Sequence, residues 1–277
     1  VILSIAAMSG WGKSYACQAI TEMNTEVHSD AASYDHVVVL DFKDEYRGLC
    51  SKQHGPAPFQ HWIAGPRERD HFRRKHWREL ISENGNVVIA RHQEAVDVDE
   101  WREICAIVAE VARPMGDVLI VIDEAHFVAP QSGKVPEPLV GLATTGRGEG
   151  ASSAWVTQRP AKFEEDIWSL ANARLLGAFD SDSDQNKIAG PIEYPKEVHI
   201  PGGESLGRLP DDLLADGDAV SLRKNSHVAD DGTERVTDSE WVYSDDDGTR
   251  ERFWSSSRWS PQCDHVGSPG KRIEVGL

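Results

Sequence analysis

The chain has few cysteines, few lysines and no long apolar run. Cys17, Cys50, Cys105 and Cys263 are the only thiols in 277 residues and none is in CxxC spacing, so neither a disulfide framework nor a zinc site is indicated. Reduced thiols in a cytosol fit that usage. No stretch reaches the roughly 18 apolar residues of a membrane span, and residues 1–8 are too short for one and lack the charged flank of a signal peptide. A soluble, cytoplasmic protein with no transmembrane segment is expected. Positive charge is scarce as well: 29 Lys plus Arg face 46 Asp plus Glu, for a net charge of -17, which excludes a generally basic nucleic-acid coat protein. The 39% hydrophobic content supplies one sizeable α/β core or two small ones and excludes a disordered chain.

The acidity has its own pattern. Lysine is used 10 times against 19 arginines, while 24 Asp and 22 Glu spread along the whole length. This resembles a halophile's surface, such as a haloarchaeal virus or plasmid would encode, because strongly hydrated carboxylates keep a protein soluble in molar salt. The alternative is an acidic tail on an ordinary mesophilic domain, although residues 1–200 are acidic too.

Four apolar, β-branched runs, at 1–5, 37–40, 87–90 and 118–122, suit strands buried on both faces of a parallel sheet. Helix-like stretches at 14–23, 70–81 and 99–112 alternate with them. Further strands are expected at 153–157, 173–179 and 219–222. The pattern predicts an α/β layered domain, a mostly parallel sheet flanked by helices, over residues 1–229. From about residue 230 the composition shifts to Asp, Ser, Gly and Thr with interspersed Trp, and 230–277 reads as a short acidic extension of unknown role, with a possible hairpin through Asp247-Gly248.

Ala7-Met8-Ser9-Gly10-Trp11-Gly12-Lys13-Ser14 follows the first strand and opens a helix, a P-loop pattern with Ala7 in place of the usual first Gly. Gly10 and Gly12 let successive N–H groups surround a phosphate at the positive end of a helix. Lys13 reaches the terminal phosphates and the Ser14 hydroxyl ligates Mg2+. Ser9, Gly10, Trp11, Gly12, Lys13, Ser14 and Tyr15 are therefore the expected ATP-binding residues. The fourth apolar run ends in Asp123-Glu124. An acidic pair at the end of a buried strand places one carboxylate near the metal and the next near the attacking water, so Asp123 is expected to hold Mg2+ and Glu124 to act as general base.

Several segments in order carry a more specific resemblance. Asp123-Glu124-Ala125-His126-Phe127 resembles the Walker B segment of HerA-type ATPases, and Asp41-Phe42-Lys43-Asp44-Glu45-Tyr46 the second-strand motif of that family. Gly146-Arg147-Gly148-Glu149-Gly150 and Val156-Thr157-Gln158-Arg159-Pro160 resemble the Arg-containing turn and the Thr-Gln-Arg-Pro strand end shared by HerA and FtsK translocases. Leu170-Ala171-Asn172-Ala173-Arg174, Leu209-Pro210 and Gly217-Asp218-Ala219 follow the same pattern, which covers about residues 1–225.

The resemblance implies a RecA-like domain in a homo-oligomeric ring, usually a hexamer, that moves double-stranded DNA with ATP. It implies that Gln158 senses the γ-phosphate and that Arg147 is the arginine finger entering a neighbour's site, with Arg159 its rival. Asp41 and Glu45 orient the site or a subunit contact, or do no more than end a strand. Neither the β-barrel of HerA nor the membrane region of FtsK is in the sequence. The bare core looks more like a viral genome-packaging ATPase, working at a virion vertex with a capsid or membrane-vertex portal protein. Assembly or secretion ATPases acting on protein subunits share the core and are the alternative.

One dense basic segment runs from 65 to 81, with Arg67, Arg69, Arg73, Arg74, Lys75 and Arg78. On one helix, Phe72, Trp77, Leu80 and Ile81 share a side and leave the cations on another. Arg73, Arg74, Lys75 and Arg78 are the candidate nucleic-acid contacts, tracking a DNA backbone. Pairing with acidic neighbours or with the next subunit is the other reading.

Overall fold

The β-branched runs become the middle of a ten-stranded sheet in the computed structural model, which describes residues 1–28, 33–144, 146–229, 232 and 234–266, and at Arg147 the backbone alone. In chain order the elements that matter here are β1 (Ile2–Ala6), α1 (Lys13–Met23), β2 (His36–Asp41), β3 (Gln60–Ala64), α2 (Pro66–His71), α3 (Arg74–Asn84), β4 (Asn86–Arg91), α4 (Val98–Ala112), β5 (Val118–Ile122), β6 (Ala151–Thr157), β7 (Ala173–Leu176), β8 (Lys224–Val228), β9 (Glu234–Asp245) and β10 (Arg250–Trp254). Across the sheet the order is β3-β4-β2-β5-β6-β1-β7-β9-β10, with β8 on the outer part of β9. The first seven are parallel, so all their carboxyl ends lie along one edge. Parallel strands need crossover helices on both faces, which explains why Val37–Leu40, Val87–Ala90 and Val118–Ile122 are wholly buried.

Helix α4 shows how local sequence fixes an element. Asp97 accepts from the N–H groups of Asp99 and Glu100, each at 2.9 Å, and Glu100 reaches back to the Asp97 N–H at 2.9 Å. Such a capping box is worth about 1 kcal/mol. Trp101, Ile104, Cys105 and Val108 then fall on one face and are buried.

Three expectations change, and one strand is added to them. The single helix over 70–81 is two, α2 and α3, with extended backbone at Phe72 and Arg73. The break drops the Phe72 ring between Trp62 and Trp77, at centroid distances of 6.0 and 5.0 Å, and the ring of His76 accepts the Arg73 N–H to start α3 afresh. Strand β3, whose sequence Gln-His-Trp-Ile-Ala holds a single β-branched residue, forms the outer edge without having been anticipated. The expected strand at 219–222 is an isolated bridge, Ser205 to Val220. The expected strand over 173–179 stops at Leu176, because Gly177 lies under a tryptophan described below.

The expected boundary at 229/230 falls at residues 230 and 231, which lie outside the described residues. β9 runs antiparallel to β7, pairing Leu176 with Val242, and β10 closes the edge through the turn at Asp245–Thr249. Trp241 and Val242 are fully buried. Residues 262–264 lie back over α1, where Gln18 donates to the Cys263 carbonyl at 3.1 Å and buried Glu22 accepts the Cys263 N–H at 2.9 Å.

Candidate active site

The P-loop leaves β1 at Ala6 and returns as α1 at Lys13. Gly10 and Gly12 have φ of 70° and 92°, a region that L side chains rarely adopt, so the tight turn needs glycine at both positions. Trp11 between them is fully buried and faces away from the cradle. Its indole N–H donates to the Glu240 carbonyl at 3.0 Å, while its own carbonyl accepts from the Ser239 hydroxyl at 2.8 Å. Trp11 thus offers a bound phosphate only its backbone, and its side chain bolts the loop to β9. On the other side the Met8 N–H donates to the Ala178 carbonyl at 2.8 Å.

Strand order brings the remaining candidates to the loop. β6 lies between β1 and β5, so Gln158 at the end of β6 stands between the P-loop and the acidic pair. Lys13 curls back onto the Met8 carbonyl at 3.1 Å. Burial lowers its pKa to about 8, against the opposing pull of Glu124 and Asp123. Burial also raises Asp123 well above the usual carboxylate range, helped by Glu124 and Asp41. One Asp123 oxygen has no hydrogen-bond partner among the described residues, and the other is 3.5 Å from the Tyr46 hydroxyl. Glu124 sits in a left-handed backbone conformation, φ 47° and ψ 47°, a cost of about 1–3 kcal/mol that is typical of functional sites.

The turn after β2 completes the site. Asp41, fully buried and raised by burial to about 7, accepts the N–H groups of Lys43 at 3.2 Å and Tyr46 at 2.9 Å. The turn so shaped points Lys43 at Glu124, with which it forms an ion pair, and Glu45 at Ser14, whose hydroxyl it accepts at 2.9 Å. Half-burial works against the Lys43 charge, yet the hydrogen bond to Glu124 keeps its pKa above the usual value. His126, brought down to about 4 by burial and therefore neutral, lies 3.4 Å from Glu124 and 3.1 Å from the Thr157 hydroxyl. That hydroxyl also accepts the Arg159 N–H at 3.0 Å.

The structure therefore gathers Lys13, Ser14, Glu45, Asp123 and Glu124, and adds Lys43, whose partner Glu124 is 81 residues away, and His126, which meets Thr157 31 residues away. Tyr15 meets His265 edge-on at 6.0 Å. Arg159 is half-exposed, 3.6 Å from Asp184. The Arg147 side chain lies outside the described residues. Of the basic segment, Arg74 pairs with Glu110 at 2.8 Å and Arg69 with Glu100 at 2.9 Å. Among the described residues Arg73, Lys75 and Arg78 have no carboxylate partner.

The oxygens of Ser14 and Asp123 are hard donors of the kind Mg2+ takes, and the orphaned Asp123 oxygen fits such a group. No cluster of three or more His, Cys, Asp or Glu side chains among the described residues could hold a metal by itself.

Comparison with known proteins gives the same architecture. The B204 genome-packaging NTPase of Sulfolobus turreted icosahedral virus 2, in complex with ATPγS, superposes with a TM-score of 0.54 at 14% identity, over 94% of this chain and 97% of that one. B204 of Sulfolobus turreted icosahedral virus, described as a DNA-packaging ATPase, gives 0.52 at 12% identity, over 91% and 95%. In sequence, 128 residues are 28% identical to the DNA double-strand break repair helicase HerA of Pyrococcus furiosus. The chain has a HerA/FtsK-like P-loop ATPase fold. The HerA match covers 44% of this chain and about a fifth, 21%, of the helicase. No protein-family model matches the chain, and no helix among the described residues is long and apolar enough to cross a membrane.

Proposed function

We propose that the chain is the ATPase of a double-stranded DNA translocase, a genome-packaging motor. The observation that carries this reading is the meeting of a glycine-hinged phosphate loop with a buried acidic pair, each of whose carboxylates has one oxygen without a hydrogen-bond partner among the described residues. The backbone of Ser9 to Ser14 receives the phosphates and Lys13 turns from the Met8 carbonyl to the terminal ones. Ser14 and Asp123 would hold Mg2+, which would neutralise phosphate charge. Glu124 accepts a proton from water as its oxygen attacks the γ-phosphorus and the bond to ADP breaks. Gln158 senses the γ-phosphate, and Arg147 acts across a hexameric ring on the neighbour's transition state.

The DNA part of the reading rests on Arg73, Lys75 and Arg78, cations without carboxylate partners among the described residues in a chain of net charge -17. The likeness to B204 supports it as analogy. Since phosphate contacts lose about three to five orders of magnitude in affinity between roughly 50 and 200 mM salt, a motor built for molar salt grips mainly by enclosing the duplex, with these cations assisting. The test is ATP hydrolysis by the assembled ring, with and without long duplex DNA, at low and molar KCl. Stimulation is expected, and neutralising Arg73, Arg74, Lys75 and Arg78 together reduces it while basal hydrolysis stays. An active ring that no DNA stimulates at any salt refutes the reading in favour of an assembly ATPase acting on protein.

A further inference from the structure

The general base is not free. Glu124 is buried, one of its oxygens is held by the Lys43 ammonium, and the other has no hydrogen-bond partner among the described residues. A base must present an oxygen to water within hydrogen-bond reach, and here Lys43 takes one Glu124 oxygen while the other lies 3.4 Å from His126. The group that holds it is 39% exposed and comes from a turn with its own anchors.

Those anchors lead outward. Asp44, at φ 61°, pairs with His61 at 2.9 Å and with Arg47 in its own turn. His61 belongs to edge strand β3, which runs into α2 within four residues. Its neighbour Trp62 lies under the Arg67 guanidinium at 5.3 Å, and the same guanidinium covers Phe72 at 5.5 Å. Three contacts linked by chain neighbours thus join the start of the basic segment to the base: Arg67 to Trp62, beside His61; His61 to Asp44, beside Lys43; and Lys43 to Glu124.

We propose that Lys43 is a positioning residue that restrains the Glu124 carboxylate, and that a polyanion seated on the α2–α3 segment shifts the β2 turn and releases it. The second half rests on the DNA reading above; the first does not. The restraint keeps an idle motor from spending ATP, and contact with the duplex phosphates is converted into a free base.

Steady-state ATPase kinetics of Lys43→Met and Lys43→Arg in the full chain, with and without duplex DNA, test both halves. Coupling between linked sites is usually about 5- to 150-fold. Lys43→Met is therefore expected to raise the DNA-free kcat by about fivefold or more. KM for ATP and the affinity for a non-hydrolysable analogue stay within about twofold, because the phosphate cradle is untouched. DNA adds little to that variant, and Lys43→Arg, which keeps the charge, shifts kcat far less.

A DNA-free kcat in Lys43→Met that is unchanged or lower overturns the restraint, whatever DNA does to the wild type. A raised kcat beside a wild type that DNA does not stimulate supports the restraint and refutes the DNA reading. His61→Gln, which cuts the route and leaves Lys43 in place, is expected to lower the stimulation ratio; an unchanged ratio overturns the route. If Lys43→Met does not fold, as judged by thermal unfolding, Lys43→Gln carries the same measurement.

Discussion

Trp11→Phe separates the two jobs of the P-loop, holding phosphate and holding the C-terminal strands. The substitution leaves the backbone cradle and Lys13 intact but removes the indole N–H that donates to the Glu240 carbonyl at 3.0 Å. Trp11 is fully buried, so no water replaces the donor. A buried acceptor left unpaired costs about 1–3 kcal/mol, and the smaller ring forfeits about 1 kcal/mol more in burial. At roughly 2–4 °C per kcal/mol for domains of about this size, the melting temperature should fall by about 4–16 °C. Thermal unfolding and a urea titration measure it, with the urea midpoint moving at constant slope if the unfolded state is unchanged. Gly177→Ala probes the same contact from the other side. A Cβ there would lie 2.3 Å from the Trp11 ring and 2.7 Å from the Ala7 Cβ, neither of which has room to move, so overpacking of about 1–3 kcal/mol is expected. A Trp11→Phe protein that melts within a degree of the wild type would refute the claim that β9 braces the loop.

Other expectations follow from the site. Lys13→Ala should lose both ATP binding and hydrolysis, whereas Glu124→Gln should bind ATP and stall before cleavage; wild-type turnover by Glu124→Gln would remove it as the base. Mixing Lys13→Ala subunits, which still carry Arg147, with Arg147→Ala subunits should restore hydrolysis at shared interfaces if the finger acts in trans, and no recovery in a proven ring would count against Arg147. With Lys13 lowered by burial from 10.5 to about 8, the folded chain binds fewer protons at this group than the unfolded chain between those values, so its contribution to stability rises with pH across that window. Phosphates restore the charged ammonium, so ATP binding at pH 9 should take up about one proton, and affinity should fall above about pH 8; calorimetry in buffers of different ionisation enthalpy that detects no uptake would place Lys13 away from the phosphates.

What could be read in the sequence is what lies close together in the chain. Gly10, Gly12, Lys13 and Ser14 belong to one strand-loop-helix unit, and Asp123-Glu124 ends a run of five apolar residues, so local pattern alone finds both. The strand order that brings them together is not local, and neither are the contacts of Lys43 with Glu124, 81 residues apart, or of Trp11 with Glu240, 229 apart. Strand β3 escapes notice, and β9 is expected only as one arm of a possible hairpin through Asp247-Gly248, because both lie at or near the sheet edges, where half-exposed faces tolerate Gln, His, Asp and Ser, and β-propensity speaks weakly. A signal was nevertheless present: Trp241-Val242-Tyr243, a turn through Asp247-Gly248, then Phe253-Trp254. Aromatics on either side of an Asp-Gly turn suit a hairpin packed against a core better than a solvated tail.

That hairpin bears on how the site works. A phosphate loop must change little when it binds and much when its product leaves, so what braces it matters as much as what it touches. Here the brace is double. β9 holds Trp11 from one side, and residues 262–264 hold α1 from the other through Glu22 and Gln18. The β2 turn that contacts Glu124 and Ser14 is tied to edge strand β3 through Asp44 and His61, and to the residues after β4, where Gln93 donates to the Lys43 carbonyl at 2.6 Å. On the reading proposed above, the loop that grips nucleotide is braced by the C-terminal strands and the turn that restrains the base is braced from the side of the basic segment, so a ligand on that edge would act on the base through contacts the phosphate loop does not share.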